Sequence, residues 1–171
     1  MNPKSLLKKK DYETFLQLAQ KGKISAQQQL QFYKEAPDLW IQTLINYCPP
    51  SQEAEKIVIQ RQLSEGIHLI SVLYGFDSAT LAWVMKDGDD KMVKNVVDCL
   101  YNKPSVKIEK LMVRRRDKEL LKLWISKFYT LEESTERILH EELELSSMLS
   151  YYIDLQNGQA PRQGVVETLD L

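Results

Sequence analysis

Cysteine and histidine are scarce in this 171-residue chain, at two residues each, and glycine and proline number only six each. Two cysteines cannot staple a small secreted scaffold, and so little glycine and proline excludes collagen-like and low-complexity chains. Cys48 and Cys99 stand singly on apolar segments, where a thiol behaves as a small core residue, and a reducing compartment suits them. His68 and His140 lack a second histidine, cysteine or carboxylate at ligand spacing, which excludes an ordinary zinc motif. His68 falls inside an apolar helical segment and is expected to be partly buried.

Long apolar runs are missing as well. No window approaches the eighteen residues of a membrane span, and the first ten residues offer only Leu6 and Leu7 where a signal peptide needs a longer stretch. A cytoplasmic protein without membrane contact is expected. There is no glycine-rich phosphate loop and no Gly-x-Ser-x-Gly elbow. Asp87-Gly88-Asp89-Asp90 lacks the twelve-residue calcium pattern and reads as an acid-capped turn between helices. The expectation is therefore no catalytic constellation, no cofactor and no metal: a protein that is not an enzyme.

What is present is apolar content of 43% against 27% charged residues, enough to bury roughly 70% of the unfolded surface around one core. Apolar residues recur at three- and four-residue intervals in stretches bounded by the few prolines and glycines, so the chain reads as all-α. Four segments also resemble one another. Trp40 to Tyr47, Ile67 to Tyr74, Met92 to Tyr101 and Leu120 to Tyr129 each end in tyrosine, at spacings of 27, 27 and 28. After each of the first three tyrosines a second stripe follows at offsets 7, 10 and 11: Ala54, Ile57 and Val58; Leu81, Val84 and Met85; Ile108, Leu111 and Met112. An earlier unit fits Asp11 to Phe32, with Gln20 at the tyrosine position, and a later one starts near Glu144. Ser25-Ala-Gln-Gln28 and Thr130-Leu-Glu-Glu133 have capping-box form, and Ser51 and Ser105 follow prolines where second helices should begin.

A two-helix unit of about 27 residues cannot bury its apolar face alone, so successive units must stack. The expected fold is a right-handed α-α superhelix, a short solenoid of about five two-helix repeats over residues 1–155. An irregular multi-helix bundle is the alternative. Residues 156–171 are expected to form a tail, flexible or folded back. On the quoted Leu-x-x-Leu/Ile…Tyr segments the chain resembles the helical-repeat superfamily, as a compact relative of HEAT-type or leucine-rich-variant repeats. It departs from the HEAT period of about 40, and the resemblance carries over no functional residues.

Charge is the second informative feature. The net charge is −1, yet residues 103–127 carry a net +6 and residues 128–171 a net −7. Lys107, Lys110 and Arg114 share a stripe beside the expected core face of their helix, and Arg115, Arg116 and Lys118 continue the basic run. Three readings compete. The stripe is a solvated face balanced by Glu132, Glu133 and Glu136 of the next unit; or it docks an acidic segment of another protein; or it holds a nucleic-acid backbone, as in the DNA-alkylation-repair group of HEAT-like proteins. The acidic neighbour and a sequence pI near 6.2 weigh against the last. Trp40 and Trp124 fall on core positions, whereas Trp83 lies off its stripe and is a candidate aromatic anchor. The functional expectation is a protein-protein interaction module, contacted around Trp83, Lys107, Lys110 and Arg114. The alternative is a nucleic-acid-binding repeat that adds Arg115, Arg116 and Lys118.

Overall fold

The structure, a computed structural model, describes residues 2–159, and every regular element among them is helical. A short α1 (Pro3–Lys9) leads in. First helices α2 (Tyr12–Gln20), α4 (Asp38–Tyr47), α6 (Ser64–Leu73), α8 (Asp90–Cys99), α10 (Lys118–Phe128) and α12 (Ser146–Gln159) then alternate with second helices. The second helices are α3 (Ala26–Glu35), α5 (Gln52–Gln60), α7 (Ser78–Asp87), α9 (Val106–Arg114) and α11 (Glu133–Glu141), and a 3-10 turn at Leu143–Leu145 precedes α12. The helices fall into two compact units that divide between Lys103 and Pro104. Helix α12 runs to Gln159, into the segment expected as tail; residues 160–171 lie outside the described residues.

In the first unit α2 packs on α4, α4 on α6 and α6 on α8, while α3 packs on α5 and α5 on α7. In the second, α10 packs on α12 and α9 on α11. Short polar links start most helices cleanly. Ser25 and Gln28 exchange both bonds of a capping box, and Asp11, Ser51, Asp77, Asp89 and Asp117 each accept a backbone N–H of the helix they precede. The Thr130 box is corrected by the structure: α11 begins at Glu133 with Glu132 as its N-cap, and no side chain of its own caps it.

Phe15 stacks on Trp40 at 4.7 Å between ring centres and meets Phe32 at 4.9 Å, next to the enclosed Ile41, Leu44 and Ile45. In the second unit Trp124, Leu120, Leu121, Ile125, Met112 and Met148 are fully enclosed. Each such side chain contributes about 1.5–3 kcal/mol by leaving water.

The second helices differ from the expected stripe in an informative way. In α7 the buried residues are Thr80, Leu81, Val84 and Met85, but in α5 they are Ala54, Glu55, Val58 and Ile59, and in α9 Ile108, Glu109, Met112 and Val113. Ile57 and Leu111, expected in the core, are only half-buried. Counted from the marker tyrosines, α5 and α9 start at the fifth residue and α7 at the fourth; the buried stripe opens at the third residue of each helix, so in α5 and α9 it falls one position later than the expected offsets. The helix ends alternate too. Helices α5 and α9 close on Arg61 and Arg115, each followed by a left-handed residue, Gln62 (φ 54°) and Arg116 (φ 59°). Helices α3, α7 and α11 instead close on extended Ala36, Gly88 and Glu142. The backbone thus repeats over two sequence units. His68, expected to be partly buried, is exposed on α6.

Candidate functional site

Helix α9 carries the basic stripe because its apolar face is spent on Ile108, Met112 and Val113. That leaves Lys107 and Arg114 exposed and Lys110 half-buried along one side. Arg114 is occupied: its guanidinium donates to the Glu142 carboxylate at 2.7 Å, and this hydrogen bond raises the arginine pKa and holds Glu142 below the usual carboxylate range. Arg116 donates likewise to Glu144. These partners correct the expected set. Glu133 pairs instead with Arg137 at 3.3 Å, one turn away, and Glu136 accepts from the Tyr152 hydroxyl, whose pKa is pushed up to about 12 by burial and then by that carboxylate. Arg114 and Arg116 stand at the C-terminal end of α9, so the acids they meet are those beyond the C-terminal end of α11, whereas Glu132 and Glu133 begin that helix. Lys107 and Lys110 make no ion pair among the described residues. Arg115 is half-buried, and Lys118 lies over the Tyr151 ring, 5.5 Å from its centre.

Trp83 belongs to the other unit. It is half-buried on α7, with the Lys56 ammonium of α5 5.5 Å from its ring centre. Lys56 also borders an open cleft of about 730 Å³ beside Leu30, Pro49, Pro50 and Glu53, which contains no histidine or cysteine. Among the described residues no three His, Cys, Asp or Glu side chains are grouped to hold a metal ion, and no helix is long and apolar enough to cross a membrane.

Two buried glutamates had no counterpart in the sequence reading. Glu55, the fourth residue of α5, takes the Asp77 N–H at 3.2 Å on both oxygens. Glu109, the fourth residue of α9, takes the Glu132 N–H at 2.7 Å and the Trp124 indole N–H at 3.2 Å. Asp77 and Glu132 are the N-caps of the next second helices, α7 and α11. A capping box draws this bond from the third residue of the same helix. Here that residue is a buried threonine, Thr80 or Thr135, and the preceding second helix supplies the carboxylate instead. Burial raises the Glu55 pKa, and the nearby Thr80 hydroxyl and the Asp77 N–H offset part of that rise. The spacing of Glu55 and Glu109, 54 residues, was the available signal.

The tyrosines that mark the register do not fill the core. Tyr47, Tyr74, Tyr101 and Tyr129 are 48%, 42%, 77% and 72% exposed. They lie at or just beyond the ends of α4, α6, α8 and α10, and in the first unit each touches the preceding first helix. Tyr47 accepts from Gln20, the residue at its own place one unit earlier; Tyr74 donates to the Ile45 carbonyl at 2.8 Å; and the Tyr101 N–H reaches Ser71. No protein-family model matches the chain, and no curated protein or solved structure matches it.

Proposed function

We propose that the chain is a cytoplasmic protein-interaction module, a right-handed α-solenoid whose α9 face receives an acidic segment of another protein. Like-on-like packing of first and second helices supports the solenoid, since that is how repeat units bury faces they cannot bury alone. The observation that carries the functional reading is the division of the basic stripe. Arg114 and Arg116 are already neutralised by Glu142 and Glu144, while exposed Lys107 and half-buried Lys110 stand one helical turn apart with no ion partner among the described residues. Two unpaired ammonium groups beside half-buried Leu111 suit a short acidic, partly apolar peptide, in which charge sets encounter and register. A nucleic-acid backbone draws affinity from many cations at once, and the two arginines would first have to leave their carboxylates.

The test is fluorescence anisotropy with a labelled acidic amphipathic peptide and with single- and double-stranded DNA and RNA, at about 50 and 200 mM salt. Peptide binding that Lys107→Glu/Lys110→Glu abolishes, with folding stability changed by less than about 0.5 kcal/mol, is the expected result. Oligonucleotide binding that collapses with salt and with Arg114→Glu/Arg116→Glu would replace this reading with the nucleic-acid one.

A further inference from the structure

From the tyrosine edge of the first unit we infer a second docking surface, which takes a proline-rich segment in the polyproline II conformation, carrying arginine or lysine. It is independent of the acidic-partner reading, because it lies in the unit that ends at Lys103 and needs a cationic ligand. Tyr47, Tyr74 and Tyr101 stand exposed at the same end of three first helices packed in sequence, α4 on α6 and α6 on α8. Leu73, 47% exposed in the last turn of α6, adds apolar surface beside Tyr74. A core residue repeated at this register would be enclosed; here the repeated residue is an aromatic ring left partly in water, tied to the preceding first helix through the hydroxyl at Tyr47 and Tyr74 and through the backbone N–H at Tyr101.

Spacing selects the ligand. Packed helices lie about 8–10 Å apart, so the rings recur at about that interval along the edge. A polyproline II helix rises about 3.1 Å per residue with three residues per turn, so its equivalent side chains recur about every 9 Å. Every third residue of such a segment can therefore meet a successive tyrosine. The same-face repeats of an α-helix, about 5.4 Å for one turn and about 10.8 Å for two, and of a β-strand, about 6.6 Å per residue pair, fall outside that interval. Aromatic rows of this kind grip proline faces, and the preformed ligand loses little entropy on binding.

Charge selects the flanking residues. The last turns of α4, α6 and α8 contain no basic residue, so the negative ends of three helix dipoles are uncompensated from within. Asp77 adds a carboxylate, and Lys103 is the one cation in the three links that follow these helices. A cationic side chain next to the prolines meets this negative potential and can lie on a tyrosine face.

The experiment titrates the full chain with a labelled twelve-residue peptide that has proline at every third position and arginine at both ends. Controls are a peptide of the same composition with the prolines respaced, and one with glutamate for arginine. Saturable binding is expected, weakened about tenfold by Tyr101→Ala, weakened by both controls, and unchanged by Lys107→Glu. Tyr101 has the most exposed ring of the three, so its removal should leave the melting temperature near the parent value. Peptide-induced shifts of backbone amide resonances in the unmutated protein give a second readout and should centre on residues 47, 74 and 101. No saturation at millimolar peptide, equal binding of the respaced peptide, or shifts centred elsewhere would overturn the inference. So would a dimer in sedimentation that Tyr101→Ala dissociates, which would give this edge to a second copy of the chain.

Discussion

Glu55, in the unit that ends at Lys103, spends both oxygens on a single backbone N–H and faces the Thr80 hydroxyl. Glu109, in the unit that begins at Pro104, divides its oxygens between a backbone N–H and an indole N–H. Both sit at the fourth position of a second helix, and both hold the N-cap of the next one. The difference lies in what a neutral substitute could satisfy. At Glu55 an amide oxygen can keep the Asp77 N–H, and the amide NH2 can donate to the enclosed Thr80 Oγ1 beside it. At Glu109 the Glu132 N–H and the Trp124 indole N–H take one oxygen each, so an amide nitrogen in either place would face a donor. Identical placement in a repeat therefore does not give identical chemistry; the residue opposite decides it.

The largest expected effect breaks the comparison outright. Glu109→Ala removes the acceptor of two donors, the Glu132 N–H and the enclosed Trp124 indole N–H, and should cost about 4 kcal/mol in urea unfolding, against about 2 kcal/mol for Glu55→Ala, where one backbone donor loses its acceptor. Equal losses would mean that the indole bond adds nothing.

Glutamine sharpens the contrast. Glu109→Gln should cost about 1–3 kcal/mol and Glu55→Gln less than about 1 kcal/mol at neutral pH. Reversal of that order would refute the donor count.

The smallest effect is a pH slope. Because burial raises the Glu55 pKa in the folded state, that state binds the proton more tightly than the unfolded chain. The contribution is fully present below the unfolded value near 4.5 and is lost as pH rises through the higher folded value. Unfolding free energies of the parent minus those of Glu55→Gln should therefore rise as pH is lowered from 7 toward 4.5. A flat difference would show that the carboxylate is as comfortable in the fold as in water.

The positions that sequence reasoning placed well share one property: their structural role depends on near neighbours in the chain. Asp89 caps α8 within three residues, Ser25 and Gln28 form their box within four, and Trp40 and Trp124 occupy helical stripes that periodicity reveals. The misplaced ones depend on another helix. Ile57 and Leu111 fall out of the core because one extra residue between the marker tyrosine and the helix start moves the buried stripe one position on, onto a glutamate, and the bonds that make a buried glutamate tolerable come from the N-cap of the following second helix and, for Glu109, also from Trp124 of α10. Of the candidate site, the exposed α9 cations follow from amphipathicity. Their division into occupied arginines and lysines with no ion partner among the described residues does not, because the partners of Arg114 and Arg116 stand 28 residues further on.

The sequence by itself determined the helices, their boundaries within a few residues, and a 27-residue spacing whose tyrosines mark every first-helix end from α4 to α10. These are local matters of turn chemistry and periodicity, readable without knowing what lies opposite. Tertiary structure alone decided that the marker tyrosines stand in water, that two glutamates are buried, and that two arginines are already paired. A side chain's exposure and the satisfaction of its charge are properties of the space between helices, which no single segment encodes.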